Sequence, residues 1–272
     1  MKKNEMNKTA LGITYQMSLD AFLQESHHLA LHKSHTYEIA LDKLKELKQY
    51  RSWSRKREIA KEAISICEDC IEAYMSLGMY HEDIFETLRV YKEGMELATM
   101  NLGKDYFNQS IHDFYQVEET RMFFHMKFAY ACALYEAGFM RKALMQFQEI
   151  LSLNPSDVLT ARYYVFALYL YFEELEKFQM LYERFSTLDT FTLYAYFLYQ
   201  YKRQHVVEAH GLKKQMLQQN PYLYAFLSNE RMNTYAIQKV REAGSEAEAA
   251  FAHAILYKVT ETLTFLPSFL GK

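Results

Sequence analysis

The chain has 272 residues, with 31 Lys and Arg against 34 Asp and Glu, giving a formal charge of -3 with histidines neutral. That length can bury one large core or two modest domains, and the charge balance supplies no global attraction to nucleic acid or to an anionic membrane, although it leaves room for a local basic patch. Three cysteines in so long a chain argue against a disulfide-built scaffold and for a reducing compartment. Residues 1–10 are polar, residues 11–17 are too short and mixed for the apolar part of a secretory signal, and the densest apolar runs, 163–172 and 191–201, fall far below membrane-spanning length. A cytoplasmic location with no membrane partner is the expectation.

Only eight glycines and three prolines interrupt the apolar periodicity. The spacing predicts an all-α chain with helices near 17–31, 36–49, 54–67, 70–80, 82–100, 121–137, 140–152, 157–172, 174–185, 189–202, 205–219 and 246–262. No linker rich in Gly, Ser or Pro divides them. A single helical-repeat domain over 1–272 is therefore expected, with 1–50 as an N-terminal helical extension, 59–227 as the core and 244–265 as a capping helix.

Near the start, His27, His28, His32 and His35 cluster, and His28 and His32 stand one helical turn apart. With Asp20 or Glu25 they could share a metal, but no closed set of four ligands is evident, and a surface patch of ordinary histidines explains them better. No metal and no cofactor is expected. Next comes a basic run of Lys43, Lys45, Lys48, Arg51, Arg55, Lys56, Arg57 and Lys61 around Tyr50 and Trp53. Phosphate contacts and base stacking are conceivable there; nearby acids make a solvated helix junction the simpler reading. Cys67 and Cys70 form a lone CxxC, and without a second pair buried thiols are expected instead of a metal site.

Residues 70–78 read CIEAYMSLG, with Ala73, Tyr74, Leu77 and Gly78 on one face, and Ile84, Leu88, Tyr91 and Met95 follow on the next helix. The interval 101–119 is too long for an ordinary repeat turn. Its Tyr106, Phe107, His112, Phe114 and Tyr115 either plug the end of a helix pair or shape a pocket with Glu118, Glu119 and Arg121 at its mouth. The clearest unit is 124–155: Tyr130, Ala131, Leu134, Gly138, Ala143, Phe147 and Pro155 fall at the spacing of a tetratricopeptide repeat. Residues 157–185 and 190–219 read as further pairs, the latter ending at Asn220 and Pro221 as 140–153 ends at Asn154 and Pro155. Such pairs cannot cover their own apolar faces, so an α-solenoid of stacked antiparallel helix pairs, TPR-like, is the expected fold.

Four ordered motifs carry a resemblance. They are GMELATMNLGKDYF at 94–107, HDFYQVEETRMFFHMKFAYACALYEAG at 112–138, LNPSDVLTARYYVFALYL at 153–170, and NPYLYAFL at 220–227 followed by GSEAEAAFAHAIL at 244–256. Over about 59–269 the chain resembles an uncharacterised bacterial family of tetratricopeptide repeat proteins, related to the suppression-of-tumorigenicity TPR-like proteins. It departs where members commonly read tryptophan and glycine, here Tyr115 and Gln116, and proline and tyrosine, here Met122 and Phe123. The resemblance implies a solenoid and brings no established chemistry.

Enzyme signatures are missing from the sequence: there is no glycine-rich phosphate loop, dinucleotide fingerprint or zinc protease pentad. Glu118, Glu119 and Glu136 could flank a cleft, but spacing alone gives them no catalytic geometry. The expectation is a non-enzyme that binds a protein segment or peptide and brings partners together, with a homo-oligomer as the further option. Tyrosines on successive repeats, among them Tyr163, Tyr164 and Tyr196, would supply contact area, Lys127, Arg162 and Arg203 would hold carboxylates, and Arg121 completes the expected ligand-binding set. A nucleic-acid-associated module using residues 43–61 and a peptide-responsive regulator are the alternatives.

Overall fold

In the computed structural model, residues 34–103, 105–187, 189–227 and 242–271 are described. The expected helix 17–31 and the residues His27, His28 and His32 lie outside them. Every regular element among the described residues is helical. They fall into two compact units, 34–159 and 160–271.

The first unit contains α1 (His35–Lys45), α2 (Trp53–Ile66), α3 (Ile71–Met79), α4 (Ile84–Leu102), α5 (Arg121–Glu136) and α6 (Met140–Leu153). Short polar side chains start several of them by accepting amide hydrogens that the helix leaves unpaired: Ser34 from Tyr37, Ser52 from Arg55, and Asp83 from Phe85 and Glu86. Each helix packs on its neighbour in sequence, while α1 also reaches α3 and α3 reaches α5. This is sequential helix-pair packing. Where α3 meets α4, a Cβ on Gly78 would sit 2.2 Å from the Tyr91 ring, and where α4 passes α3 and α5, one on Gly94 would sit 2.4 Å from Met126 Cε. Both glycines are needed for close approach of the helices.

Between α4 and α5 the chain makes three single 3₁₀ turns, Tyr106–Asn108, Phe114–Gln116 and Glu118–Thr120. Phe107 packs on Phe114 at 5.1 Å and on Phe123 at 4.6 Å, and Tyr115 packs on Phe124 and meets His125 Nε2 at 3.2 Å through its hydroxyl. Phe114 and Tyr115 are buried. Of the two readings of this interval, the geometry is that of a plug over the first turns of α5, with Glu118 and Glu119 exposed to solvent. Asp113 pins the plug to the end of α6: its carboxylate accepts from the Tyr115 and Ser156 amides and from Asn154 Nδ2. Desolvation pushes the Asp113 carboxyl up, but the bonds from Ser156 and Asn154 outweigh it and hold it below its ordinary value of 3.8.

The second unit contains α7 (Ala161–Tyr171), α8 (Leu175–Phe185), α9 (Thr190–Lys202), α10 (Val206–Gln219), α11 (Leu223–Leu227), α12 (Glu246–Thr260) and α13 (Leu266–Leu270). Again α7 packs on α8 and on α9, and α9 on α10. The long late helix α12 lies along both α7 and α9. Asn220, fully buried at the end of α10, ties these parts together by donating to Thr190 Oγ1, the Ser245 carbonyl and Glu248 Oε2.

The same stop recurs at the ends of α5, α7 and α9. In each, the second residue past the helix is left-handed, at Gly138 (φ 85°), Glu173 (φ 58°) and Gln204 (φ 62°). The following amide then reaches back to a carbonyl within the last turn, Phe139 to Leu134, Glu174 to Tyr169 and His205 to Gln200. Only the first of these positions carries glycine, so only the first is conspicuous in the sequence. A left-handed Gln strains the backbone by roughly 1–2 kcal/mol, part of which the greater freedom of an unfolded glycine would offset. Gln204→Gly is therefore expected to stabilise the protein by about 0.5–1 kcal/mol, read as a higher urea midpoint at unchanged slope. Glu173→Gly will not gain as much, because Glu173 pairs at 3.0 Å with Lys202, whose side chain is otherwise almost wholly buried.

Candidate functional site

Four rings on α8 and α9 form one nearly parallel cluster. Phe178 and Tyr182 are one turn apart on α8, Tyr196 and Tyr199 one turn apart on α9, and the pairs meet across the helices at 4.7 Å for Phe178 with Tyr199 and 4.3 Å for Tyr182 with Tyr196. Along each helix the rings are 6.3 and 5.5 Å apart, and all four contacts lie within 18° of parallel. Phe178 and Tyr199 are interior, whereas Tyr182 and Tyr196 are half-buried. At one end the exposed Arg203 donates to the Tyr199 hydroxyl at 2.8 Å and holds its guanidinium 5.5 Å from the centre of that ring. The outcome is a ledge that offers aromatic surface, phenol hydroxyls and one cation. Burial, then the charge of Tyr196, raises the Tyr182 phenol above its ordinary value, so the Tyr182 hydroxyl stays a protonated donor near neutrality.

The sequence pointed to Tyr196 and Arg203 but not to Phe178 or Tyr182. Their spacing of four on a helix facing the tyrosines of α9 was the available signal.

The other expected ligand contacts are placed differently. Tyr164 is 1% exposed and belongs to the core of its unit. Tyr163 is buried against Phe191 and Phe251, and its hydroxyl donates to Asp189 Oδ2 at 2.9 Å while accepting from Arg162 at 3.0 Å. Burial and the Asp189 charge push its phenol up to about 12. Arg162 also lies over the Tyr163 and Phe185 rings at 4.4 and 5.8 Å. Asp189 caps α9 through the Thr192 amide, so these residues join α7 to the start of α9. In the first unit, Lys127 is buried, donates to Gln146 at 2.9 Å and pairs with Glu149 at 2.8 Å, while Arg121 opens α5 half-buried. A ligand carboxylate would have to displace Glu149 to reach Lys127. Lys127, Arg162 and Tyr163 are thus internal ties and Tyr164 is core, whereas on α9 Tyr196 is half-buried and Arg203 exposed.

Four of the eight cations of the basic run are paired with carboxylates around them. Lys43 pairs with Glu62 at 2.7 Å and Glu46 at 3.1 Å, Lys45 with Asp42, Arg55 with Glu58 and Glu62, and Arg57 with Glu82. Arg55 covers the Tyr50 ring, and Tyr80 meets the Trp53 edge and lies under Lys56 at 4.7 Å. Phosphates would compete with carboxylates, and bases with residues already stacked there.

Among the described residues no three His, Cys, Asp or Glu side chains come together to hold a metal, and no helix is long and apolar enough to cross a membrane. Cys67 and Cys70 are buried, as expected. No family model matches the chain, and no curated protein matches it either.

Proposed function

We propose that this chain is a TPR-like helical-repeat scaffold that binds an extended protein segment or peptide and brings partners together without catalysing a reaction. The observation that carries this reading is the ledge of Tyr182 and Tyr196 beside Arg203. Large rigid aromatic faces give contact area at little entropic cost, phenols give hydrogen bonds, and an exposed guanidinium selects a carboxylate. The ordered motifs, which resemble an uncharacterised bacterial tetratricopeptide repeat family, the sequential helix pairs and the recurring stop after α5, α7 and α9 support a solenoid of stacked antiparallel pairs. The paired charges of residues 43–61 give the nucleic-acid alternative no comparable support.

The test is affinity capture of the full chain from extract at about 0.15 M salt, with and without nuclease, alongside Tyr196→Ala and Arg203→Glu variants checked for unchanged helicity. A stoichiometric protein or peptide that survives nuclease and is lost with either variant is the expected result. Recovery dominated by nucleic acid, or a partner indifferent to both substitutions, would overturn the reading.

A further inference from the structure

The turn between α2 and α3 brings two thiols and a carboxylate together. Cys67 closes α2, Cys70 precedes the first residue of α3, and the Cys70 amide donates to the Cys67 carbonyl at 3.1 Å. Such a turn holds its end Cα atoms within about 7 Å, the range that a disulfide spans. Cys70 is fully buried, whereas Cys67 keeps 8% exposure. The Cys70 thiol points at Glu72 Oε2, 3.6 Å away, and the same oxygen accepts from the Tyr37 hydroxyl at 2.6 Å. Glu72 itself is fully buried. Two adjacent thiols of unequal access, the inner one on a buried proton acceptor, are the parts of an exchange centre.

We infer that Cys67, Cys70 and Glu72 form a thiol–disulfide exchange site that is oxidised by small disulfides. The Cys67 thiolate attacks one sulfur of the external disulfide, forming a mixed disulfide and releasing the first thiolate. Cys70 then passes its proton to Glu72 Oε2, and its sulfur attacks Cys67 Sγ, expelling the second thiolate. The Cys67–Cys70 bond forms as the external bond is lost, so the protein dithiol gives up two electrons and the reagent leaves as two thiols. Burial, reinforced by the Glu72 charge, pushes the Cys70 thiol well up, which keeps it protonated and unreactive until the mixed disulfide is in place. Glu68 and Asp69, both exposed in the turn, put negative charge at the entrance. A cationic disulfide is therefore the preferred reactant over an anionic one.

The full reduced chain is treated with cystamine or with glutathione disulfide, quenched with an alkylating reagent and read by intact and peptide mass. The expected product is a Cys67–Cys70 disulfide without retained adduct, formed at least several-fold faster with cystamine, with Cys132, 1% exposed in α5, still reduced. Cys70→Ser keeps a hydroxyl for Glu72 and is expected to trap the mixed disulfide on Cys67, whereas Cys67→Ser leaves Cys70 reduced. Glu72→Gln is expected to slow ring closure without slowing formation of the mixed disulfide. The inference is overturned if the native protein accumulates an unresolved adduct, if Cys70→Ser traps nothing, or if cystamine oxidises the pair only in denaturant.

Discussion

Replacing Phe178 by alanine is expected to lower the stability of the protein by about 3–5 kcal/mol. Phe178 is fully buried and touches Phe166 at 5.0 Å on α7, Tyr182 at 6.3 Å on its own helix and Tyr199 at 4.7 Å on α9. It is the only buried residue of α8, so this one ring is the main interior anchor of that helix. Its removal would leave a void bordered by three helices, and large rings around a void cannot collapse into it without leaving their rotamers. Tyr182→Ala makes the control. That ring is half-exposed, and its loss should cost only about 1 kcal/mol of stacking beyond a modest burial term. Urea unfolding of both variants measures the difference. Equal costs would mean that Phe178 is not packed as described, and the ledge would then lack the rigid backing on which Tyr196 depends.

Much of the helix layout was legible because apolar spacing and breaks are local. The expected helices from 36–49 to 246–262 correspond to described helices or, at 46–49, to a 3₁₀ continuation, with ends shifted by a few residues. Asn154 and Asn220 stop α6 and α10 where expected, although their buried hydrogen bonds to Asp113 and to Glu248 join segments far apart in sequence and leave no local trace. The stops after α7 and α9 were obscured for a different reason. Glu173 and Gln204 occupy a backbone conformation that glycine advertises and they do not. The short helices α11 and α13, five residues each, carry too few turns for periodicity to register.

The candidate site was legible in composition more than in placement. Counting tyrosines on successive helices found Tyr196, but it could not separate Tyr196 from Tyr164, because both lie in helices that are apolar on almost every face. When nearly every position of α7 and α9 is buried, period alone does not say which side chain reaches the surface. Charge was similarly ambiguous. Lys127 and Arg203 look alike in sequence, yet one is interior beside Glu149 and the other is exposed above Tyr199. What decides between them is the residue supplied by another helix.

Acidification from pH 7 to pH 4 is expected to remove roughly 3 kcal/mol of stability through His253 alone. This side chain lies in α12 at 6% exposure, with its ring 5.9 Å from Phe226 and 5.6 Å from Tyr257. No hydrogen-bond partner reaches its Nδ1 among the described residues. Burial disfavours the imidazolium and pushes the group down from 6.5 to about 4. The unfolded chain therefore takes up a proton near pH 6.5, while the folded chain resists until about pH 4. Stability from this group is complete above the first value, falls between the two and declines no further below the second. Asp113 works in a lower window: its carboxyl is held below 3.8, so its contribution is present above that value and is lost only as pH falls beneath it. His81, also shifted down by burial and then by Arg57, shares the upper window. Comparing wild type with His253→Gln isolates the one residue. Urea midpoints taken across this range should fall steeply for the wild type and distinctly less for the variant. Parallel curves would mean that the folded protein accommodates the charged ring, and that α12 opens to water near Phe226 at little cost.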